Sequence, residues 1–233
     1  MQARIQSGKF FDIITIPKRN PINIVKRKNL KIGFDPKLHT NHMIQRSFGE
    51  TNCKLIPINE NLVNKLWIKK KEKNKNKFYT LPKNVTGQNY NLKINNLIKI
   101  LKKKKVNFQF ISASENIAWL LNIRGTDSEF SPMTYAYLSI ETNKKIKFFC
   151  DLDKIENSFK KKFKDIRFID IKYTDLYLSK IKRKKVLIDS STCSIFFEKI
   201  LKKNNKIIHF FDPLYNLKSV KSKIEIKNII KSH

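Results

Sequence analysis

Residues 114–127 read SENIAWLLNIRGTD. Ile117, Leu120 and Leu121 fall three and four apart, so they share one face of a helix. Ser114 stands where an N-cap belongs, with a hydroxyl able to accept from a backbone N–H of the first turn. Asn122-Ile123-Arg124-Gly125-Thr126-Asp127 then reads as a glycine-containing loop leaving that helix. On the upstream side, 106–111 is apolar and β-prone; on the downstream side, 135–140 and 145–150 read as two strands joined by a turn at Thr142-Asn143. A helix set between a strand and a hairpin points to an α/β fold with a mixed β-sheet flanked by helices.

Working outward, Ile94, Leu97, Ile98 and Leu101 form an amphipathic stripe, and Lys102–Lys105 end that helix where cations oppose the macrodipole. Beyond the hairpin, helix and strand alternate. Helices are expected near Ile155, near Leu176 and over 193–201, and strands over 167–171, 186–188 and 206–211. Asp212-Pro213 interrupts the pattern, and Ile224, Ile226, Ile229 and Ile230 begin a further helix with little of this chain to pack on. Towards the N-terminus, strands are expected at 10–16, 31–34 and 53–58. A short helix opens at Pro21, and a longer one over 36–48 ends at Gly49. Leu62, Val63 and Leu66 share a helical face. Residues 69–77 carry Lys, Asn and Glu with no apolar side chain, the composition of a solvated linker.

The chain has 233 residues, 40% hydrophobic and 11% aromatic, which excludes a disordered composition and provides for a buried core. Its formal charge is +31. The arginines, however, are Arg4, Arg19, Arg27, Arg46, Arg124, Arg167 and Arg183, and the rest of the 50 Lys and Arg residues are Lys. Readers of phosphate and base edges favour the bidentate guanidinium. The lysines are also spread along the whole chain, so the balance reads as a basic solvated surface, and nucleic acid is not the expected partner. Cys53, Cys150 and Cys193 are distant and odd in number, which fits free thiols in a reducing cytoplasm. No apolar run is long enough to span a membrane.

Candidate chemistry is sparse. His39 and His42 could share a helix face beside Asp35, but no second cluster completes a metal site. His209 sits in an apolar strand and is expected in the core. The glycines are isolated and form no phosphate loop. Ser190-Ser191 lacks the glycines of a nucleophile elbow and is expected to cap a helix. Asp151 and Asp153 read as a turn with solvated carboxylates. Arg124, with Asp127 three residues on, could hold its guanidinium towards a carboxylate or phosphate; a structural Arg124–Asp127 pair fixing the loop serves equally well.

Residues 114–127 resemble the A-L-D-E-I-A-W-L-x-N-L-R-G-S-D motif of cytosolic-type Xaa-Pro aminopeptidases, of the creatinase/prolidase superfamily. The resemblance continues through Ser131-Pro132 and the strand at 135–140. Ile32-Gly33-Phe34-Asp35-Pro36 with Leu38-His39-Thr40 is similar to V-G-x-D-P-x-L-H-T. Residues 55–67, with Pro57, Glu60-Asn61-Leu62-Val63 and Trp67, are similar to L-x-P-V-x-x-N-L-V-D-x-I-W. Thr86-Gly87 matches Y-T-G, and 217–233 resembles L-K-A-V-K-N-x-x-E-x-x-G-M-R-x-A-H, with Asn228-Ile229-Ile230 replacing G-M-R.

The resemblance implies creatinase N-terminal-like domains, one partial and one complete. It places the end of a first domain at 1–68, a linker at 69–85, a second domain at 86–211 and, at 212–233, the opening of a pita-bread catalytic domain. That domain holds two divalent ions, usually manganese, and removes the residue preceding proline. Met1-Gln2-Ala3 is similar to the L-Q-A that follows the family's D-G-R-Y, so the substrate-binding Arg of that motif has no counterpart here. No catalytic residue and no metal ligand is expected in this chain, and alone it should not hydrolyse peptides. The implied partners are the catalytic domain, a second copy in a homodimer and the peptide substrate. The implied role is to support the cleft and the dimer, with Arg124 and Asp127 adjacent to substrate. The alternatives are a Lys-rich module for anionic partners, or a free-standing non-catalytic relative.

Overall fold

The computed structural model describes residues 2–15, 23, 29–67 and 76–233. The chain divides into two compact units, residues 1–68 and 69–233. The helix expected at Pro21 lies outside the described residues, as do 69–75 of the linker.

In the first unit, β1 (Lys31–Phe34) pairs in parallel with β2 (Lys54–Pro57), Ile32 opposite Leu55. The crossover between them is the helix Asn41–Phe48. It starts later than Pro36 because Asp35 and Pro36 begin a turn, and because Thr40 supplies the N-cap, its hydroxyl accepting from Met43 N at 3.1 Å. Ile44 is its buried anchor. The loop after β1 is pinned by Asp35, whose carboxylate accepts from Lys37 N at 2.8 Å and from Asn61 Nδ2 at 3.0 Å. The expected strand at 10–16 is not formed over its described part. Residues Gly8–Phe10 make a 3-10 turn and 11–15 carry no strand, with Phe10 and Phe11 exposed.

The second unit is built on a six-stranded mixed sheet of β4 (Phe108–Ile111), β6 (Tyr137–Glu141), β7 (Ile146–Cys150), β8 (Ile166–Asp170), β9 (Lys185–Ile188) and β10 (Lys206–His209). Their order across the sheet is β10-β9-β4-β6-β7-β8. β4, β9 and β10 run parallel; β6 is antiparallel to both β4 and β7, and β8 is parallel to β7. Side chains alternate across the sheet. Ile111, Leu138, Ile140 and Leu187 therefore join Leu97, Leu101, Ile117 and Leu120 of the helices Tyr90–Lys103 and Ser114–Leu121 on one face. Phe108, Phe110, Val186 and Ile188 meet Leu178 and Leu201 of the helices Thr174–Ser179 and Ile195–Lys202 on the other. Burying the apolar stripe read from Ile94, Leu97, Ile98 and Leu101 is worth about 1.5–3 kcal/mol per side chain.

The Tyr90–Lys103 helix ends through Lys105, which takes a left-handed φ of 54° while Val106 N donates back to Leu101 O at 3.0 Å. Ser114 does not cap its helix. The helix begins one residue earlier, with Ala113 in the cap position and no side-chain cap, and Asn116 and Ile117 donating to Ala113 O. Residues 76–85, expected as linker, are folded: Phe78 is buried in the core, and β3 (Tyr79–Thr80) pairs antiparallel with β5 (Ile123–Arg124). The Lys223–Ser232 helix does find packing. It lies against the helix Lys83–Thr86, and Asn228 Nδ2 donates to Asn84 O at 3.1 Å. Ser222 and Glu225 close its first turn as a reciprocal capping box.

Candidate functional site

The Ser114–Leu121 helix ends at Asn122 in a left-handed conformation, φ 56°, which Asn tolerates better than most residues. Arg124 follows in the two-residue strand β5, so the ladder with Tyr79 sets its direction. Gly125 comes next at a close approach. A Cβ there would meet Met133 O at 3.0 Å and the Phe78 ring at 3.0 Å, which leaves room for glycine alone.

The two residues singled out in this loop do different things. Asp127 does not pair with Arg124. Its carboxylate, 8% exposed, takes an ion pair from Lys154, 11% exposed, and accepts from Tyr135 N at 2.6 Å, closing the loop 127–135 on itself. The expected Arg124–Asp127 pair gives way because Lys154, in the turn after β7, reaches Asp127 instead.

Arg124 turns to a cavity of about 210 Å³ walled by Trp119, Lys93, Glu225, Leu81, Val85 and Ile229. Its Nη1 donates to Ile123 O at 2.8 Å and to Ala118 O at 3.2 Å. Burial lowers its pKa, against the attraction of Tyr79. Lys93, on the buried side of the Tyr90–Lys103 helix, donates to Asn122 Oδ1 at 2.6 Å and Trp119 O at 2.9 Å. Its ammonium lies 4.0 Å from the Trp119 ring centroid. Burial brings the Lys93 pKa down to about 8, with Glu225 pulling it up and Arg124 adding to the depression. Burial of Glu225 favours its acid form, but the Ser222 N–H and hydroxyl, the Lys93 charge and the neighbouring Trp119 indole outweigh it and hold the carboxyl below its ordinary range. Ser222 and Glu225 are three apart, the spacing of a capping box, but Lys93 joins them from 129 positions before Ser222, so no local pattern in the chain could have marked the three together.

The remaining candidates separate. His39 Nδ1 lies 2.9 Å from Asp35 O, and its ring packs edge-on to Phe34; His42 sits in the following helix. Among the described residues no three His, Cys, Asp or Glu stand close enough to hold a metal ion, so the residues present do not fit a dinuclear centre. Asp151 caps the 3-10 turn Leu152–Lys154 by accepting from Asp153 N at 3.0 Å. Ser190 and Ser191 cap no helix. Ser191 donates to Asp189, and it is Ser194 that caps Ile195–Lys202. His209 is not in the core: β10 is an edge strand, its end is open to water, and the ring bridges Ser190 Oγ at 2.8 Å and Glu198 Oε1 at 3.4 Å. Among the described residues no helix is long and apolar enough to cross a membrane.

Residues 69–225 match the Creatinase/Prolidase N-terminal domain family. An Xaa-Pro aminopeptidase of Drosophila melanogaster is 29% identical over 213 residues, 87% of this chain and 34% of its own length. A probable Xaa-Pro aminopeptidase P of Paracoccidioides lutzii is 35% identical over 139 residues, 58% of this chain and 22% of its own. Protein pid-5 of Caenorhabditis elegans is 29% identical over 214 residues, 85% of this chain and 20% of its own. The crystal structure of an X-prolyl aminopeptidase from Caenorhabditis elegans, described as a cytosolic enzyme with a di-nuclear active site, superposes with a TM-score of 0.78. It is 22% identical and covers 97% of this chain and 38% of its own. The chain thus spans about a third or less of the curated relatives it matches. With the family matched over most of the second unit and the fold shared along nearly the whole chain, this protein belongs to the creatinase/prolidase N-terminal domain family.

Proposed function

We propose that this chain is the non-catalytic N-terminal and middle portion of an Xaa-Pro aminopeptidase, shaping the approach to a catalytic domain that removes the residue before proline. The alignment with Xaa-Pro aminopeptidases along 87% of the chain carries the reading. A second support is the Lys223–Ser232 helix, which leaves Ile226, Ile229 and Ile230 46%, 45% and 70% exposed, an apolar surface suited to a further domain. On this reading the catalytic portion holds the pair of divalent ions, manganese the expected metal, because caging them needs several carboxylates and an imidazole in one cavity. Arg124 and Asp127 stand on the substrate side, a second copy completes a homodimer, and the cytoplasm is the compartment. The test is reconstitution with a separately expressed catalytic portion. Cleavage of Xaa-Pro peptides should rise when this chain is added; equal rates with and without it refute the supporting role.

A second reading rests on Lys144, Lys145, Lys147, Lys164 and Arg167, which line one open cleft where β7 meets β8. An acidic polymer bound there would be released by salt, with log K falling steeply against log salt. Binding that survives raised salt, or none at physiological salt, removes this reading.

A further inference from the structure

Arg124 is half-buried, yet no carboxylate lies within ion-pair distance of it among the described residues. Two carbonyls take up Nη1, and neither Nε nor Nη2 has a hydrogen bond to a described residue. A guanidinium drawn out of water is costly unless an anion completes it, and its free edge is the fork that receives a carboxylate through two bonds. Lys93 brings a second cation to the same cavity and has spent two of its three N–H donors. Glu225 is the one carboxylate on the wall, and the Ser222 N–H holds it at 2.8 Å. Lys221 also lines the cavity, but its ammonium donates to Lys218 O at 2.6 Å, and Glu225 beside the Arg124 fork disfavours a doubly charged anion such as phosphate. Leu81, Val85 and Ile229 make the rest of the wall mostly apolar. The volume, about 210 Å³, equals on the order of seven waters of liquid.

We propose that this cavity is a binding site for a small monocarboxylate with a short branched apolar tail. The Arg124 fork and the Lys93 ammonium receive the carboxylate, and Leu81, Val85 and Ile229 receive the tail. The inference concerns this chain alone and does not rest on the peptidase reading.

Trp119 lines the cavity and reports on it. Trp67 is the second tryptophan, so a Trp67→Phe chain leaves a single emitter. The chain is titrated with 4-methylpentanoate at constant ionic strength, beside its neutral amide and inorganic phosphate. The carboxylate should give a saturable change in Trp119 emission, weakened about tenfold or more in Arg124→Gln. Ile229→Phe, which narrows the apolar end and leaves both cations in place, should weaken it as well. Each variant is read only if its thermal midpoint matches the parent, so either one suffices if the other does not fold. No saturation at tens of millimolar, equal affinity for the amide, tighter binding of phosphate, or unchanged affinity in the folded variants each overturns the proposal.

Discussion

Removing one member of the Lys154–Asp127 pair should be among the most damaging single changes to the second unit. The side chains are 11% and 8% exposed, so neither charge recovers its hydration when the other is lost. Breaking a buried pair in this way costs about 3–5 kcal/mol. Lys154→Met leaves Asp127 with the Tyr135 N–H, whose bond to a carboxylate returns about 1.5–3 kcal/mol, so its cost should fall at the lower end, about 3 kcal/mol. Asp127→Asn keeps an acceptor for Tyr135 but strands the Lys154 ammonium, and should cost about as much. The double variant carries no buried charge, so its cost should fall below the sum of the singles by about 2 kcal/mol or more. Urea unfolding of the Trp67→Phe chain, followed by Trp119 emission, reads the second unit. Single costs below about 1 kcal/mol, or additivity within about 0.5 kcal/mol, would refute the view that this loop hangs on a desolvated ion pair.

Gly87 has φ +69°, and a Cβ there would lie 2.2 Å from Ser222 Oγ; Gly87→Ala should cost about 2 kcal/mol or more in the same unfolding assay and loosen the Lys223–Ser232 helix in hydrogen exchange. Lys105 is exposed and left-handed, so Lys105→Gly should stabilise the unit by about 1 kcal/mol, where an unchanged midpoint contradicts the strain assigned to it. Lys93 has its pKa brought down to about 8 from 10.5, so above pH 8 the native state sheds a proton that the unfolded chain retains. Stability relative to Lys93→Met should therefore rise between about pH 8 and 10.5 and be flat below; a fall across that window rejects the buried-ammonium assignment.

Much of the second unit could be read directly from the chain, because its elements are set by local periodicity. The stripe at Ile94, Leu97, Ile98 and Leu101 became a buried helix face, and the runs at 106–111, 135–140 and 145–150 became adjacent central strands. Errors came where ends depend on neighbours. A cap at Ser114 was displaced by Ala113, and a core place for His209 was denied because β10 has a partner on one side only. Only 69–77 look solvated by composition, and the linker that the resemblance implied as far as 85 gave way where Phe78 enters the core and Tyr79–Thr80 pairs with β5.

The candidate site divides along the same line. Hydrophobic periodicity was enough to set the class of fold, and the resemblance of several motifs in the same order pointed to the family. They could not decide what Arg124 and Asp127 face. That depended on Lys154 reaching one of them from the turn after β7, and on Lys93 and Glu225 arriving beside the other from opposite ends of the unit. Ion pairing and desolvation act through space over a few ångströms, and distance along the chain carries no record of them.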